Sequence, residues 1–422
     1  MRRRKHMRRS TNGVVARMNV YLLVPLISLL IIPTHANWNQ FHGNSAKTGR
    51  SSISLPNNLT LQWKTQVGCL HWGSNCWIPG FTGTDSSPSI SPDGTTIYIG
   101  SYDHNLYAIH ATSGVIQWKY NTDASGLGIE SSPAVTQSNI VIVGTYSKQI
   151  IAVNGTNGQS LWNYTTLDYV ASAPVLGTKE EVVFVGGVDG LLYGIYIATG
   201  KLKFTFNAST VLHHQSIWGP PMLNDNKIYF GAGGAGNPYS NQYAHVHCLH
   251  ETNGSAIWNY SVGSSQIQSS LTMDSRNTTV FVGVYDGRVL ALGVTTGDLR
   301  YQVQTKGRVE SSPVTFMDST NGRDVELVIV GSADGYVYAW NVINGTEIWK
   351  SKLGKEVGSS AAVDATGKIF IGGDTGVYGM NGSNGDIVWK YNTSKLIGSS
   401  PAILDSGGLV VGGEDGYLYK FV

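Results

Sequence analysis

From residue 59 onward, apolar and polar positions alternate in short runs, and no run keeps a helical period. Residues 98–109, 183–195, 281–292, 328–340 and 409–421 each hold two alternating stretches joined by a turn. Alternation of this kind predicts half-buried strands. Asp189-Gly190, Asp286-Gly287, Asp334-Gly335 and Asp415-Gly416 sit between such stretches and predict tight hairpins.

The strand pattern is repeated. A Ser/Pro marker opens an apolar strand at Ser86-Ser87-Pro88, Ser131-Ser132-Pro133, Ser172-Ala173-Pro174 and Gly219-Pro220-Pro221. It returns at Ser269-Ser270-Leu271, Ser311-Ser312-Pro313, Ser359-Ser360-Ala361 and Ser399-Ser400-Pro401, making eight copies 40 to 50 residues apart. A second marker is a Gly followed four residues later by an aromatic. It reads Gly114/Trp118, Gly158/Trp162, Gly200/Phe204, Gly254/Trp258, Gly297/Tyr301, Gly345/Trp349 and Gly385/Trp389, seven in all. The eighth copy stops at Val422 without its aromatic strand, whereas 59–64, containing Trp63-Lys64, matches that strand in style. Four strands per unit, with the N-terminal strand completing the last unit, predict an all-β, single eight-bladed β-propeller over 59–422. The eight aromatics are expected to wedge between blades, so these Trp residues are structural.

The Thr-Gly-x-x-x-Trp repeat resembles the tryptophan-docking motif of pyrroloquinoline-quinone-type propellers. That superfamily includes quinoprotein alcohol dehydrogenases, polyvinyl-alcohol dehydrogenases and a bacterial outer-membrane assembly lipoprotein. The stretch Trp38-Asn39-Gln40-Phe41-His42-Gly43 through Thr48-Gly49-Arg50 is similar to the leader before the first blade in many members. The resemblance covers about residues 37–422. It specifies fold more than function, since one fold hosts both enzymes and scaffolds.

Charge and processing signals change the picture of where the chain works. Charged residues make up 13% of 422, and the formal charge is +2. Arg2, Arg3, Arg4, Lys5, Arg8, Arg9 and Arg17 account for the excess; without them 22 basic residues face 27 acidic ones. No basic stripe tracks a phosphate backbone, so nucleic acid is not expected as a partner. The basic stretch, an apolar run over 20–32 and Thr34-His35-Ala36 read as a signal peptide over 1–36, with 37–58 a leader to the propeller. The competing reading is an uncleaved anchor, for which the run is short and broken by Pro25. Cleavage would leave no membrane span and place the protein outside the cell or in the secretory lumen. Ten sequons, at Asn58, Asn154, Asn163, Asn207, Asn253, Asn259, Asn277, Asn344, Asn381 and Asn392, fit a secreted glycoprotein. Cys69 and Cys76 could close a disulfide loop there, and Cys248 is expected to be a buried free thiol.

Three places could carry chemistry. The residue before each Ser/Pro marker should cluster at one end of the channel: Asp85, Glu130, Ala171, Trp218, Gln268, Glu310, Gly358 and Gly398. This is either a cation or polar-ligand site, or a hydrated mouth whose acids pair with Arg308 and Lys355. The fourth unit is irregular, with a stretched hairpin over 231–241. There the resemblance implies Trp218 beside a quinone ring and Asn237 as a calcium ligand, although two extra residues precede Asn237. The stretch aligned with the family's catalytic aspartate, 261–268, holds no acid, and Cys-x-x-Cys-His is absent. The third place is the 69–76 loop, where Trp72 and Trp77 are either a recognition site or a channel plug. His245 and His247 share a strand face, as a metal pair would, but read equally as hairpin histidines. The expected function is a non-catalytic recognition or scaffold propeller for a protein or glycan partner, with no cofactor. The alternative is an alcohol or sugar dehydrogenase using quinone and calcium.

Overall fold

The computed structural model describes residues 38–68, 83–122, 128–209, 215–234, 243–320 and 324–422. The expected signal peptide, Cys69, Cys76, Trp72, Trp77 and Asn237 lie outside these residues. Among the described residues there is no α-helix, and no helix is long and apolar enough to cross a membrane.

Eight antiparallel four-stranded sheets form the blades. Blade 1 contains Ser89–Ile90, Thr96–Gly100, Asn105–His110 and Ile116–Asn121, from inside to outside. The outer strands of blades 2 to 7 are Ser160–Thr165, Leu202–Asn207, Ala256–Ser264, Leu299–Gln304, Glu347–Lys352 and Ile387–Asn392. Blade 8 has Ala402–Ile403, Leu409–Gly412 and Tyr417–Phe421, and its outer strand is Leu61–Gln66. That last pairing is antiparallel, with Lys64 opposite Tyr419.

Burial follows position within a blade. The second strand of blade 1 is buried at every residue, because blades stack against it on both faces. The outer strand alternates exposed and half-buried residues. The sequon asparagines mostly sit on these outer strands and turns: nine are exposed, and Asn154 is half-buried.

The docking aromatics join neighbouring blades by a specific contact. Trp118 donates its indole N–H to Gly155 O at 2.8 Å, Trp162 to Ile197 O at 2.7 Å, and Trp349 to Gly382 O at 2.8 Å. Gly158 lies on the Trp118 ring: a Cβ there would fall 2.7 Å from Cε3, and its φ is +72°. Glycine meets both demands at once. The same contact runs from Gly114 on Trp63 to Gly385 on Trp349. So each Gly-x-x-x-aromatic unit is two half-contacts: the Gly seats the previous blade's ring, and the aromatic reaches the next blade. Trp389 has no eighth Gly-x-x-x-aromatic glycine on it but makes the same donation, to Leu59 O at 2.9 Å, just ahead of the N-terminal strand.

The Ser/Pro marker is a second stitch, nearer the axis. Ser87 N donates to Ser132 Oγ, Ser270 N to Ser312 Oγ, Ser312 N to Ser360 Oγ, and Ser360 N to Ser400 Oγ. Ser400 N then donates to Ser87 Oγ at 2.9 Å, joining blade 8 to blade 1. These buried hydroxyls satisfy backbone donors that have no ladder partner at the start of an inner strand.

The leader threads around one end of the channel. Ile90 N donates to Trp38 O, Val135 N to Asn39 O, Leu223 N to Ser45 O, and Val363 N to Gly49 O. Leu176 N donates to Gln40 Oε1 and Thr272 Oγ1 to Lys47 O. The leader therefore touches the inner strands of blades 1, 2, 3, 4, 5 and 7 before the chain enters blade 8. Trp38 is fully buried within it.

Candidate functional site at the channel mouth

Extended chain leads into each inner strand, so alternate residues point to the axis. All eight residues before the Ser/Pro markers line one cavity of about 610 Å³. Below them Ser87, Ser132, Ser312, Ser360 and Ser400 continue the wall, and Phe41 of the leader lines it too. The expected clustering is thus present, including Asp85, Glu130, Trp218, Gln268 and Glu310.

The charges are arranged differently from expectation. Arg308 Nε bonds Glu310 Oε1 at 3.0 Å, and its NH2 bonds Glu356 Oε1 at 2.6 Å. Lys355 does not take the role assigned to it; its contact is a backbone N–H to Asp374 Oδ2 at 2.9 Å. The chain bends at Gly354-Lys355, and Glu356 lines the cavity whereas Lys355 does not. Asp85 and Glu130 are held by tyrosines instead. Tyr102 OH donates to Asp85 Oδ2 at 2.8 Å, and Tyr146 OH donates to Glu130 Oε2. Tyr146 stacks on Tyr169 at 4.9 Å, which meets Trp218 edge-on at 5.9 Å.

Burial dominates the electrostatics. It pushes Glu130 up to about 7, with the Tyr146 bond opposing and the Asp85 charge adding. Glu414 also rises to about 7, from burial and then Asp85. Asp85 is raised by burial against the Tyr102 bond. Glu310 is raised by burial even though Arg308 acts to lower it.

Tyr102, Tyr146, Glu356 and Glu414 were not singled out from sequence. A repeat signal could have found three of them. They lie two residues past the Gly at or next to the end of a blade's second strand: Gly100/Tyr102, Gly144/Tyr146 and Gly412/Glu414. At this position the backbone N–H reaches back toward the axis, as in Tyr102 N to Gly83 O and Glu414 N to Leu396 O. Glu356 lies two residues before Gly358, as Arg308 lies two before Glu310.

Other candidates resolve simply. His247 is buried, stacked on Phe230 at 5.1 Å, and pushed down to about 3 by burial. His245 Nδ1 meets Gln215 Nε2 at 2.7 Å. Cys248 is a buried free thiol, pushed up to about 12 by burial, and so is not a thiolate at neutral pH. Among the described residues no group of three or more His, Cys, Asp or Glu could hold a metal ion.

A closed ring of eight sheets, docked by aromatics and lined by an acidic mouth, defines a propeller of the quinoprotein-like class. A family model described as outer membrane protein assembly factor BamB (PQQ_2) matches residues 56–170, 166–331 and 333–421, and the chain belongs to that family. Among solved structures it is similar to BamB from Moraxella catarrhalis, with 19% identity, a TM-score of 0.64, and 86% of this chain and 99% of that one covered. It is also similar to the quinohemoprotein alcohol dehydrogenase from Comamonas testosteroni, with 13% identity, a TM-score of 0.73, and 92% and 80% covered. These likenesses establish the fold alone. Among curated proteins, tetrathionate hydrolase of Acidithiobacillus ferrooxidans is 23% identical over 191 residues, covering 41% of this chain. The beta-alanine-activating enzyme of Drosophila melanogaster is 24% identical over 166 residues, covering 39% of this chain. The chain spans 36% and 15% of those proteins' lengths.

The cavity does not suit the quinone that the fold class implies. Pyrroloquinoline quinone carries three carboxylates, whose burial calls for paired cations. Asp85, Glu130, Glu310, Glu356 and Glu414 line this cavity, and Arg308 is the one Lys or Arg among its described lining residues. Arg308 is already shared by two of the acids.

Proposed function

We propose that this chain is a non-catalytic recognition or scaffold propeller, working in the secretory lumen or outside the cell and needing no cofactor. The observation that carries this reading is the channel mouth, where five carboxyls face one committed arginine. An anionic redox group would meet repulsion there, and the stretch 261–268 offers no acid to act as base. The family's description as an assembly factor supports a protein partner. The exposed sequons and the basic-apolar N-terminal pattern support a glycosylated, secreted chain; the Cys69 and Cys76 loop would then be oxidised.

The alternative, a calcium- and quinone-dependent alcohol or sugar dehydrogenase, draws on one observation: Trp218 lines the cavity, at the place the resemblance gives to a quinone-facing ring. The test is to supply the purified protein with pyrroloquinoline quinone, calcium and a panel of alcohols and sugars. The proposal expects no substrate-dependent reduction of an electron-accepting dye. Reduction that requires all three additions would replace it with the alternative.

A further inference from the structure

The lining of the mouth is polarised around the ring. Glu310, Glu356, Glu414, Asp85 and Glu130 stand on blades 6, 7, 8, 1 and 2, which are consecutive. The facing arc, on blades 3, 4 and 5, contributes Ala171, Trp218 and Gln268, with no charge. Arg308 compensates the blade 6–7 end, through Glu310 and Glu356. Asp85 and Glu130 receive O–H donors from Tyr102 and Tyr146 respectively.

A second observation shows that the acidic arc is unfinished. Asp85 lines the cavity, and its Oδ1 is buried with no hydrogen-bond partner. Buried carboxylate oxygens are nearly always satisfied, and an N–H donor from a ligand would satisfy this one. Across from it, Trp218 offers an indole, edge-on to Tyr169, which stacks on Tyr146. Aromatic faces attract ammonium and guanidinium groups and cover the carbon attached to them. The described acids do not converge on a metal-holding geometry. Carboxyls spread over an arc opposite an aromatic wall match a cation with length and carbon.

We propose that the channel mouth binds an organic cation, an ammonium or guanidinium group on a carbon chain. Its charge faces Asp85 and Glu130, and its carbon lies against Trp218. This rests on the recognition reading above and names the chemical group recognised. The group can come from a free polyamine or from a basic side chain of a partner protein.

The test titrates the full chain by calorimetry with two probes: spermidine, and an uncharged-flank peptide carrying one arginine. Saturable binding of spermidine alone assigns the site to free polyamines, and saturable binding of the peptide assigns it to a protein side chain. Either should weaken roughly tenfold or more in Asp85→Asn/Glu130→Gln, and measurably in Trp218→Leu. Exposed Glu347→Gln should bind as wild type. Both changes at the acids are isosteric and relieve like-charge crowding, so the melt should hold; Asp85→Asn alone serves as the acid variant if it does not. The proposal is overturned if neither probe saturates by roughly millimolar concentration. It is equally overturned if the acid variants bind as tightly as wild type. Loss of the cation result with no dye reduction leaves the recognition reading standing, whereas quinone-dependent dye reduction removes that reading.

Discussion

Replacing Gly297 with Ala tests the docking geometry against a matched control. Gly297 has φ +71°, and a Cβ there would lie 2.5 Å from Trp258 Cε3. Trp258 is 9% exposed and donates its indole N–H to Val294 O at 2.9 Å, so the ring has little freedom to retreat. Gly94 has the same φ, +71°, and nothing within 4 Å of its Cβ position. Both substitutions incur the left-handed backbone cost of about 1–2 kcal/mol. Both also reduce unfolded-chain entropy equally, which cancels in the comparison. Only Gly297→Ala adds overpacking against a seated indole, about 1–3 kcal/mol. Equilibrium urea denaturation should therefore show Gly297→Ala as less stable than Gly94→Ala by that difference. Equal midpoints for the two variants would refute the claim that the glycine seats the neighbouring blade's ring.

Trp38→Ala should destabilise by about 3–5 kcal/mol in the same assay, because a fully buried indole is lost from the core cluster it shares with Leu55 and Ile90. Ser87→Ala should cost about 1–3 kcal/mol, since Ser400 N is left as a buried donor without an acceptor. Glu130 and Glu414 bind protons in the folded state up to about pH 7 but only to about 4.5 when unfolded. Their contribution to stability is therefore full below pH 4.5 and falls as pH rises through the window to 7. Glu130→Gln should flatten that fall when melts are compared across pH. Lys47 is fully buried with no hydrogen-bond partner, and burial pushes it down to about 7. Lys47→Met should gain stability, most below pH 7 and progressively less toward pH 10.5, where both states of the wild type are neutral.

The fold was legible because each blade repeats the same local physics. Alternating strands, Asp-Gly turns and a docking aromatic recur at fixed spacing, and their number set the blade count. What the markers do was less legible. The Gly and the aromatic of one motif serve different interfaces, a fact that depends on the neighbouring blade rather than on local sequence. The Ser/Pro marker reads as a strand opener, yet Ser87 and Ser400 matter as a hydrogen bond across 313 residues. The ring of Asp85, Glu130, Trp218, Gln268 and Glu310 could be found because repeat-equivalent positions share a height in the channel. Its second layer, with Tyr102, Tyr146 and Glu414, was equally periodic but hidden by residue variety, since Tyr, Glu and Val occupy one position. The pairing of Arg308 with Glu356 depends on which of two adjacent residues faces the axis. The leader shows no periodicity at all, and its path under six blades follows from buried backbone donors that only the assembled ring presents.

On the proposed reading, the acidic mouth excludes an anionic quinone. Isothermal titration of the full chain with pyrroloquinoline quinone, at neutral pH with calcium present, tests it most directly. No saturable binding is expected in wild type. Binding should emerge only when Asp85, Glu130 and Glu414 are neutralised together. Saturable one-to-one binding to wild type, lost in Trp218→Leu, would contradict it.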